Sequence, residues 1–326
     1  MKSNETVYTR DWISHWVTMT GKQPALIVFS NHWGSNGRLH IAFPTGTVRT
    51  IWNAGSVPDL RMMAWTRDWS SSGADPVTSM QRIIDGRFDR PLLQWFHAAR
   101  DLGIPMMIEF GVEVNGYWFP WNGRWNGAGR KDGYGDPAYP DGPERFIGAY
   151  RHLHDLADSV GADDLTWAFH VDVGTHPDKA WNQPAKYYPG DDYVDWVMFS
   201  DYGEQKPTEN YWETFAQRLG DPGDASSVYS RLRAIAPGKP FGVVEFGVTD
   251  NGDGPKAEWY AGAYDSFTPP GNAYAVSIAS VWSEKWRNGD GSLSDLRVDS
   301  SPAALDAYRA GIADPHFVSV PVWSCT

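Results

Sequence analysis

From about residue 60 onward the chain alternates short runs of β-branched and aromatic residues with stretches whose apolar residues recur at helical spacing. That alternation is the mark of βα units wound around a parallel sheet. Seven strands are read at ALIVFS, LRMMAW, IPMMIEFG, LTWAFHV, VDWVMFSDYG, PFGVVEFG and VSIASVW. Apolar along their length, they fit strands covered on both faces, as helices packed around a barrel require. Asp89 to Leu102 reads as a helix, with Asp89 as a cap, Pro91 in the first turn, Leu92, Phe96 and Ala99 on one face, and Gly103 as the stop. Phe146, Tyr150, Leu153 and Ala157 form a second stripe ended by Gly161. Residues 210–219, 226–235, 256–267 and 302–310 read as further helices. The eighth strand is open: VRTIW (48–52) is strand-like or leads helically into LRMMAW, and the alternatives are a first strand near 6–9 or none. With 326 residues and no linker or repeat to divide them, the expected fold is a (β/α)8 TIM barrel in a single domain over 1–326.

A formal net charge of −12 argues against nucleic acid or an anionic membrane as partner, since both are met with clustered Lys and Arg. Eighteen Trp, fifteen Tyr and fourteen Phe exceed what a core of this size needs, so part of that aromatic surface is free to stack on neutral rings such as sugars. The lone Cys325 forms no internal disulfide, and the nine His show no zinc-like spacing. DGYGD (132–136) and NGDGSLSD (288–295) resemble pieces of calcium loops without completing the ligand set, and are read as solvated turns. No cofactor or metal is expected. The start, MKSNETVYTRDW, lacks the basic and apolar regions of a signal peptide, and no apolar run approaches the ~20 residues of a spanning helix.

Barrel enzymes carry their chemistry at the C-terminal ends of the strands, so the informative residues are polar ones where an apolar run stops. PMMIEFGVEVNGYWFPWNG carries Glu109 and Glu113 and opens into a loop of Gly, Trp and Asn, and KPFGVVEFGVTDNGDG carries Glu245. Two carboxylic acids from separate strand ends can face each other across a barrel mouth. Hydrolysis of a glycosidic bond needs that arrangement: one acid protonates the leaving oxygen while the other, ionised, attacks or stabilises the anomeric carbon. Retention of configuration requires about 5–5.5 Å between them, inversion about 6.5–9.5 Å.

GVEVNGYWFPW resembles the acid/base motif of glycoside hydrolase family 26, whose members include β-mannanases, lichenases and xylanases. RMMAWTRDW followed by IIDGRFDRPLLQWFHAARDLGIPMM is similar to the elements leading into that motif; YYPGDDYVDWVMFSDYG and PFGVVEFG resemble the segments that carry a Tyr and the nucleophile. The likeness runs in order from about Leu60 to Trp286. It implies a retaining, endo-acting hydrolase of a β-linked polysaccharide, with Glu113 as acid/base, Glu245 as nucleophile and Tyr202 as hydrogen-bond donor to the nucleophile. It implies Trp118 and Trp282 as sugar-stacking platforms, and Asn115 and Trp65 as further substrate contacts. Mannan comes first on family prevalence, then mixed-linkage glucan and xylan. A monomeric, secreted enzyme is expected.

The chain departs from the family at Val112, where members usually carry His. His170, at the end of LTWAFHV, is either a replacement imidazole or a satisfied core residue. Glu109, on the same face as Glu113 and a layer deeper, is a supporting partner or a rival for the acid role. Glu284 is a substrate contact or an ion-pair partner of Lys285 or Arg287. The rival class is a non-catalytic carbohydrate-binding barrel, which would have little use for a facing pair of acids.

Overall fold

Seven parallel strands, joined by helical connections, pair in sequence order into one curled sheet. They are β1 (Leu26–His32), β2 (Val57–Met63), β3 (Met106–Phe110), β4 (Leu165–Asp172), β5 (Trp196–Tyr202), β6 (Phe241–Gly247) and β7 (Ile278–Val281). The structure is a computed structural model that describes residues 8–67, 72–209, 212–250, 256–268 and 274–321. All seven strands read from the sequence are present, and the parallel order is that of a (β/α)8 barrel. β1 and β7 end the hydrogen-bonded order, and a cavity of about 440 Å³ lies in the seam between them, walled by Leu26, Val28, Ile278, Trp16 and Tyr8. The Tyr8 hydroxyl donates to the carbonyl of Val28 there, at 3.1 Å.

The helices are α1 (Arg10–Thr20), α2 (Thr45–Asn53), α3 (Met80–Ile84), α4 (Asp89–Leu102), α5 (Asp141–Ser159), α6 (Phe215–Leu219), α7 (Val228–Arg233), α8 (Lys256–Phe267) and α9 (Pro302–Ala313). VRTIW corrects one alternative: it lies inside α2, where Val48 and Ile51, three apart, are both buried. Of the other alternative, residues 6 and 7 lie outside the described residues, and Tyr8 and Thr9 are not in a strand. In α4, Asp89 sits in the first turn and accepts from His152 rather than capping, while Gly103 ends the helix at φ +58, where its N–H reaches the carbonyl of Ala99. α6 and α7 are shorter than the stretches read for them; Thr214 starts α6 with a reciprocal capping box to Gln217.

Two cores result. The larger one lies between sheet and helices and holds Phe96, Phe110, Phe146, Phe199 and Phe246. A small one inside the barrel consists of Met107, Ala168, Met198 and Val244. The strand period of two carries the inward face from Met107 to Glu109, from Ala168 to His170 and from Met198 to Ser200. β6 reaches the same layer differently. Val243 and Phe246, three residues apart, both belong to the outer core, whereas Val244 is inside. Regular alternation forbids that, and a register shift between β5 and β6 accounts for it: Phe199 pairs with Val243, but Ser200 pairs with Glu245. A bulge of this kind re-aims a side chain; here it turns Glu245 into the barrel.

Candidate active site

Glu113 stands just beyond β3, on a tight turn. Gly111 has φ +69, and a Cβ there would lie 2.4 Å from the ring of Phe146. Glu113 itself has φ +48, a left-handed conformation uncommon for a residue with a side chain and of the kind that collects at functional sites. The turn sends Val112 into the outer core, 2 % exposed, and leaves Glu113 at the mouth of the barrel, 8 % exposed. The indole N–H of Trp118 donates to Glu113 Oε2 at 2.7 Å. Trp118 lies over Gly116, where a Cβ would meet its ring at 2.2 Å, so a side chain at 116 would displace the indole.

Across the mouth, Glu245 is clamped at both oxygens: Arg61 Nη1 is 2.8 Å from Oε1, and the Tyr202 hydroxyl donates to Oε2. Oxygens of Glu113 and Glu245 and a ring nitrogen of His170 all lie within 4.8 Å of one another. Such a trio has the spacing of a metal site. Yet Arg61 and Tyr202 already occupy Glu245, and Glu109 and Ser200 take the two nitrogens of His170.

The electrostatics separate the carboxyls. Burial, then the charges of Glu245 and Asp172, push Glu113 well above the ordinary range and favour its protonated form, against the pull of Ser200 and Trp118. Glu109 is fully buried, which disfavours charge, but His170 and Arg61 outweigh burial and bring it down to about 2. Its partners are close: Arg61 Nε donates to Oε1 at 3.2 Å, and His170 Nδ1 bonds Oε2. Burial, and then Glu109, push Asp59 well above its usual value. For Arg61, burial favours the neutral form, but Glu245, Glu109 and Asp59 hold it charged and raise it above its ordinary value. Asp172, at the end of β4, is pushed up to about 7 by burial, against the N–H of Gly174 and the charge of Arg218.

The structure thus brings together Glu113, Glu245, Tyr202 and Trp118. Trp282 is half-buried, with the Arg61 guanidinium 5.3 Å from its ring centre. Three residues read as substrate contacts are placed otherwise. Asn115 is fully buried and spends its amide on tying the Glu113 loop to the end of β4: it donates to the carbonyls of Asp172 and Gly174 and accepts from the N–H of Asp172. Trp65 is 3 % exposed, packed on Phe119 and Trp121. His170 is 1 % exposed, beneath the carboxylate pair rather than beside it. Glu284 lines the seam next to Tyr8, while Lys285 pairs with Asp295. In 288–295, Asp290 accepts from the N–H and hydroxyl of Ser292, closing a turn on itself. Sequence reading missed Arg61 and Ser200. The signal for Arg61 was present in VPDLRMM, where two charged residues two apart share one face of an apolar strand.

Known proteins place this barrel. A sequence model of Glycosyl hydrolase family 26 matches residues 68–219. Endoglucanase H of Acetivibrio thermocellus is 29 % identical over 266 residues, which is 80 % of this chain; the chain spans about a quarter (25 %) of that relative's length. Among solved structures, the Bacillus subtilis mannanase BCman superposes with a TM-score of 0.57 at 17 % identity, covering 95 % of this chain and 82 % of its own. A Cellulomonas fimi endo-β-1,4-mannanase double mutant gives 0.59 at 17 %, covering 92 % and 66 %. The likeness to glycoside hydrolase family 26 read from GVEVNGYWFPW is borne out by the family match over residues 68–219, and the solved structures bear out the TIM-barrel fold.

Proposed function

We propose that this chain is a retaining, endo-acting β-glycanase whose first substrate is β-1,4-mannan. The observation that carries the reading is the carboxylate pair: oxygens of Glu113 and Glu245 within 4.8 Å, one acid favoured in its protonated form by burial and the other held between a guanidinium and a phenol. So close an approach of the two acids suits the about 5–5.5 Å between carboxyl groups that retention needs better than the about 6.5–9.5 Å of inversion.

In the first step Glu113 gives its proton to the glycosidic oxygen while a Glu245 oxygen attacks the anomeric carbon. The leaving sugar departs with the proton, and a glycosyl ester on Glu245 remains. In the second step Glu113, now a carboxylate, takes a proton from water as that water attacks the same carbon. Glu245 leaves, the configuration is retained and Glu113 is protonated again. Tyr202 and Arg61 hold Glu245 in line; Trp118 fixes Glu113 and, with Trp282, offers a ring to a sugar. A polymeric substrate is met outside the cell, which supports the reading of a secreted enzyme.

Mixed-linkage β-glucan is the second reading, favoured by the likeness to a protein named endoglucanase. Incubation with β-mannan, mixed-linkage β-glucan, xylan and cellulose, beside a Glu245→Gln control, tests both through new reducing ends. Release from mannan that is absent in the control is the expected result. Release from glucan alone selects the second reading. Silence on every polymer by folded protein overturns the hydrolase in favour of a carbohydrate-binding barrel.

A further inference from the structure

Two loops meet beside Glu113 at the mouth of the barrel, one following β3 and one following β4. Gly116 and His176 join them in a parallel bridge, and the N–H of His176 donates to the carbonyl of Asn115 at 3.1 Å. Asn182, fully buried, donates to the carbonyls of Asn115 at 2.8 Å and Pro177 at 3.0 Å, while the Asn115 amide reaches those of Asp172 and Gly174. What this bracing presents is an imidazole. The His176 ring lies 5.5 Å from the Trp118 ring, inclined at 47°, and the residue is exposed, whereas His170 in the preceding strand is 1 % exposed. Each of the two mouth rings rests over a glycine: a Cβ on Gly116 would meet the Trp118 indole at 2.2 Å, and one on Gly174 would meet His176 Nε2 at 2.7 Å. Ordering an exposed side chain costs conformational entropy that solvation alone does not return. Rigid presentation is what a binding site needs.

We propose that His176 is a substrate contact on the leaving-group side, hydrogen-bonding a hydroxyl of the sugar whose glycosidic oxygen Glu113 protonates. This rests on the reading of Glu113 as the acid/base. The side follows from the strand order. Glu245 and Trp282 belong to β6 and the end of β7, whereas Glu113, Trp118 and His176 follow β3 and β4. The anomeric carbon faces the nucleophile and the glycosidic oxygen faces the acid, so the sugar beyond that oxygen extends over the loops that follow β3 and β4. Trp118 spends its N–H on Glu113 and offers that sugar only an apolar face. The sugar hydroxyls need polar partners, and an imidazole carries at least one N–H in either charge state. A flat ring and a hydrogen-bonding group side by side match a pyranose, whose C–H face packs on the one while its edge hydroxyls bond the other. A site built to bond a hydroxyl rejects the sugar that lacks it, so His176 selects among leaving groups while the two acids do the chemistry.

The test reads proton NMR of the His176 imidazole and the Trp118 indole in Glu245→Gln protein, in which turnover is suppressed. His176→Ala and Trp118→Phe assign the two signals by their loss. β-1,4-linked mannopentaose, or the corresponding mixed-linkage glucan or xylan oligosaccharide, moves both signals together and binds about tenfold more weakly to His176→Ala. In protein that keeps Glu245, His176→Ala lowers kcat/KM by about tenfold on that oligosaccharide and by no more than about twofold on the 4-nitrophenyl glycoside of the same glycone, whose leaving group has no hydroxyl to bond. Gly174→Ala, which displaces the imidazole but keeps it, gives the same selective loss. A Trp118 signal that moves while that of His176 stays still overturns the inference. So does an equal loss on both substrates, which is what a merely structural role, felt through Trp118 and Glu113, would give. If both signals move and the parent cleaves no glycan, the contact stands and the hydrolase reading fails. If neither moves with any of the three oligosaccharides, the glycan reading of the site falls, and this contact with it.

Discussion

The lower and upper layers inside the barrel are built by the same strands, two residues apart, with opposite chemistry. Met107, Ala168 and Met198 form an apolar lower layer, and one step up each strand Glu109, His170 and Ser200 form a polar one. The lower layer is satisfied by packing alone and stabilises the barrel as any core does. The upper layer buries charge, which is unfavourable unless every group is paired, and so its members are locked into one arrangement. Glu245 joins that layer only through the bulge in β6; on a regular strand the inward place would fall to its neighbours Val244 and Phe246. Apolar packing and the pairing of charge are thus separated by height along the barrel axis, and that separation can be broken from either side.

The largest effect is expected at the top of the upper layer. Glu245→Gln should lower turnover by roughly 10³-fold or more while the thermal midpoint stays close to that of the parent; reducing-end assays and calorimetry on the same preparations read both. Next comes Arg61→Met, which leaves Glu109 and Glu245 buried without their counter-charge and should destabilise the fold by about 3–5 kcal/mol in urea unfolding. If Arg61→Met is neutral, the upper layer is not held together by pairing. Met198→Ala, in the lower layer, should destabilise by about 2–4 kcal/mol through the cavity it opens, with kcat near the parent value. A large loss of kcat there would erase the distinction between the layers.

Smaller effects sharpen the picture. Trp118→Phe keeps the ring and removes the indole N–H that Glu113 accepts. Since that bond pulls Glu113 down, its loss should raise the alkaline limb of kcat/KM and cost about 1 kcal/mol in barrier height, read from a pH series. Glu109 supplies the least conspicuous test. Its folded value near 2 is below its ordinary 4.5, so its contribution to stability is complete above about pH 4.5 and is lost as pH falls toward 2. Glu109→Gln should flatten the stability profile between those limits, and an unchanged acid slope would mean that Glu109 is not held ionised.

Why some of this was legible in the sequence and some was not follows from what each residue signals. Seven apolar runs separated by helical stripes spell the strands, and α4 carries Pro91 in its first turn and ends at Gly103 as the sequence places them. VRTIW was misleading because β-branched residues fit a short buried helix as well as a strand, and only burial of Val48 with Ile51 decides. Glu113, Glu245 and Tyr202 stood out because acids and a phenol at the ends of apolar strands are unusual. Ser200 did not, since a serine in a strand carries no such signal until His170 is seen 2.7 Å away. Asn115 and Trp65 sit in the right stretches but face inward, a matter of loop geometry that residue type does not encode. The bulge that aims Glu245 leaves no mark in PFGVVEFG.

The central claim, that Glu113 and Glu245 cleave a β-linked glycan by double displacement, is tested most directly by proton NMR of the first products released from the polymer that the reducing-end assay selects. Retention predicts that the β-anomer of the new reducing end appears first and the α-anomer grows in only by mutarotation. An α-anomer that appears first would contradict the account.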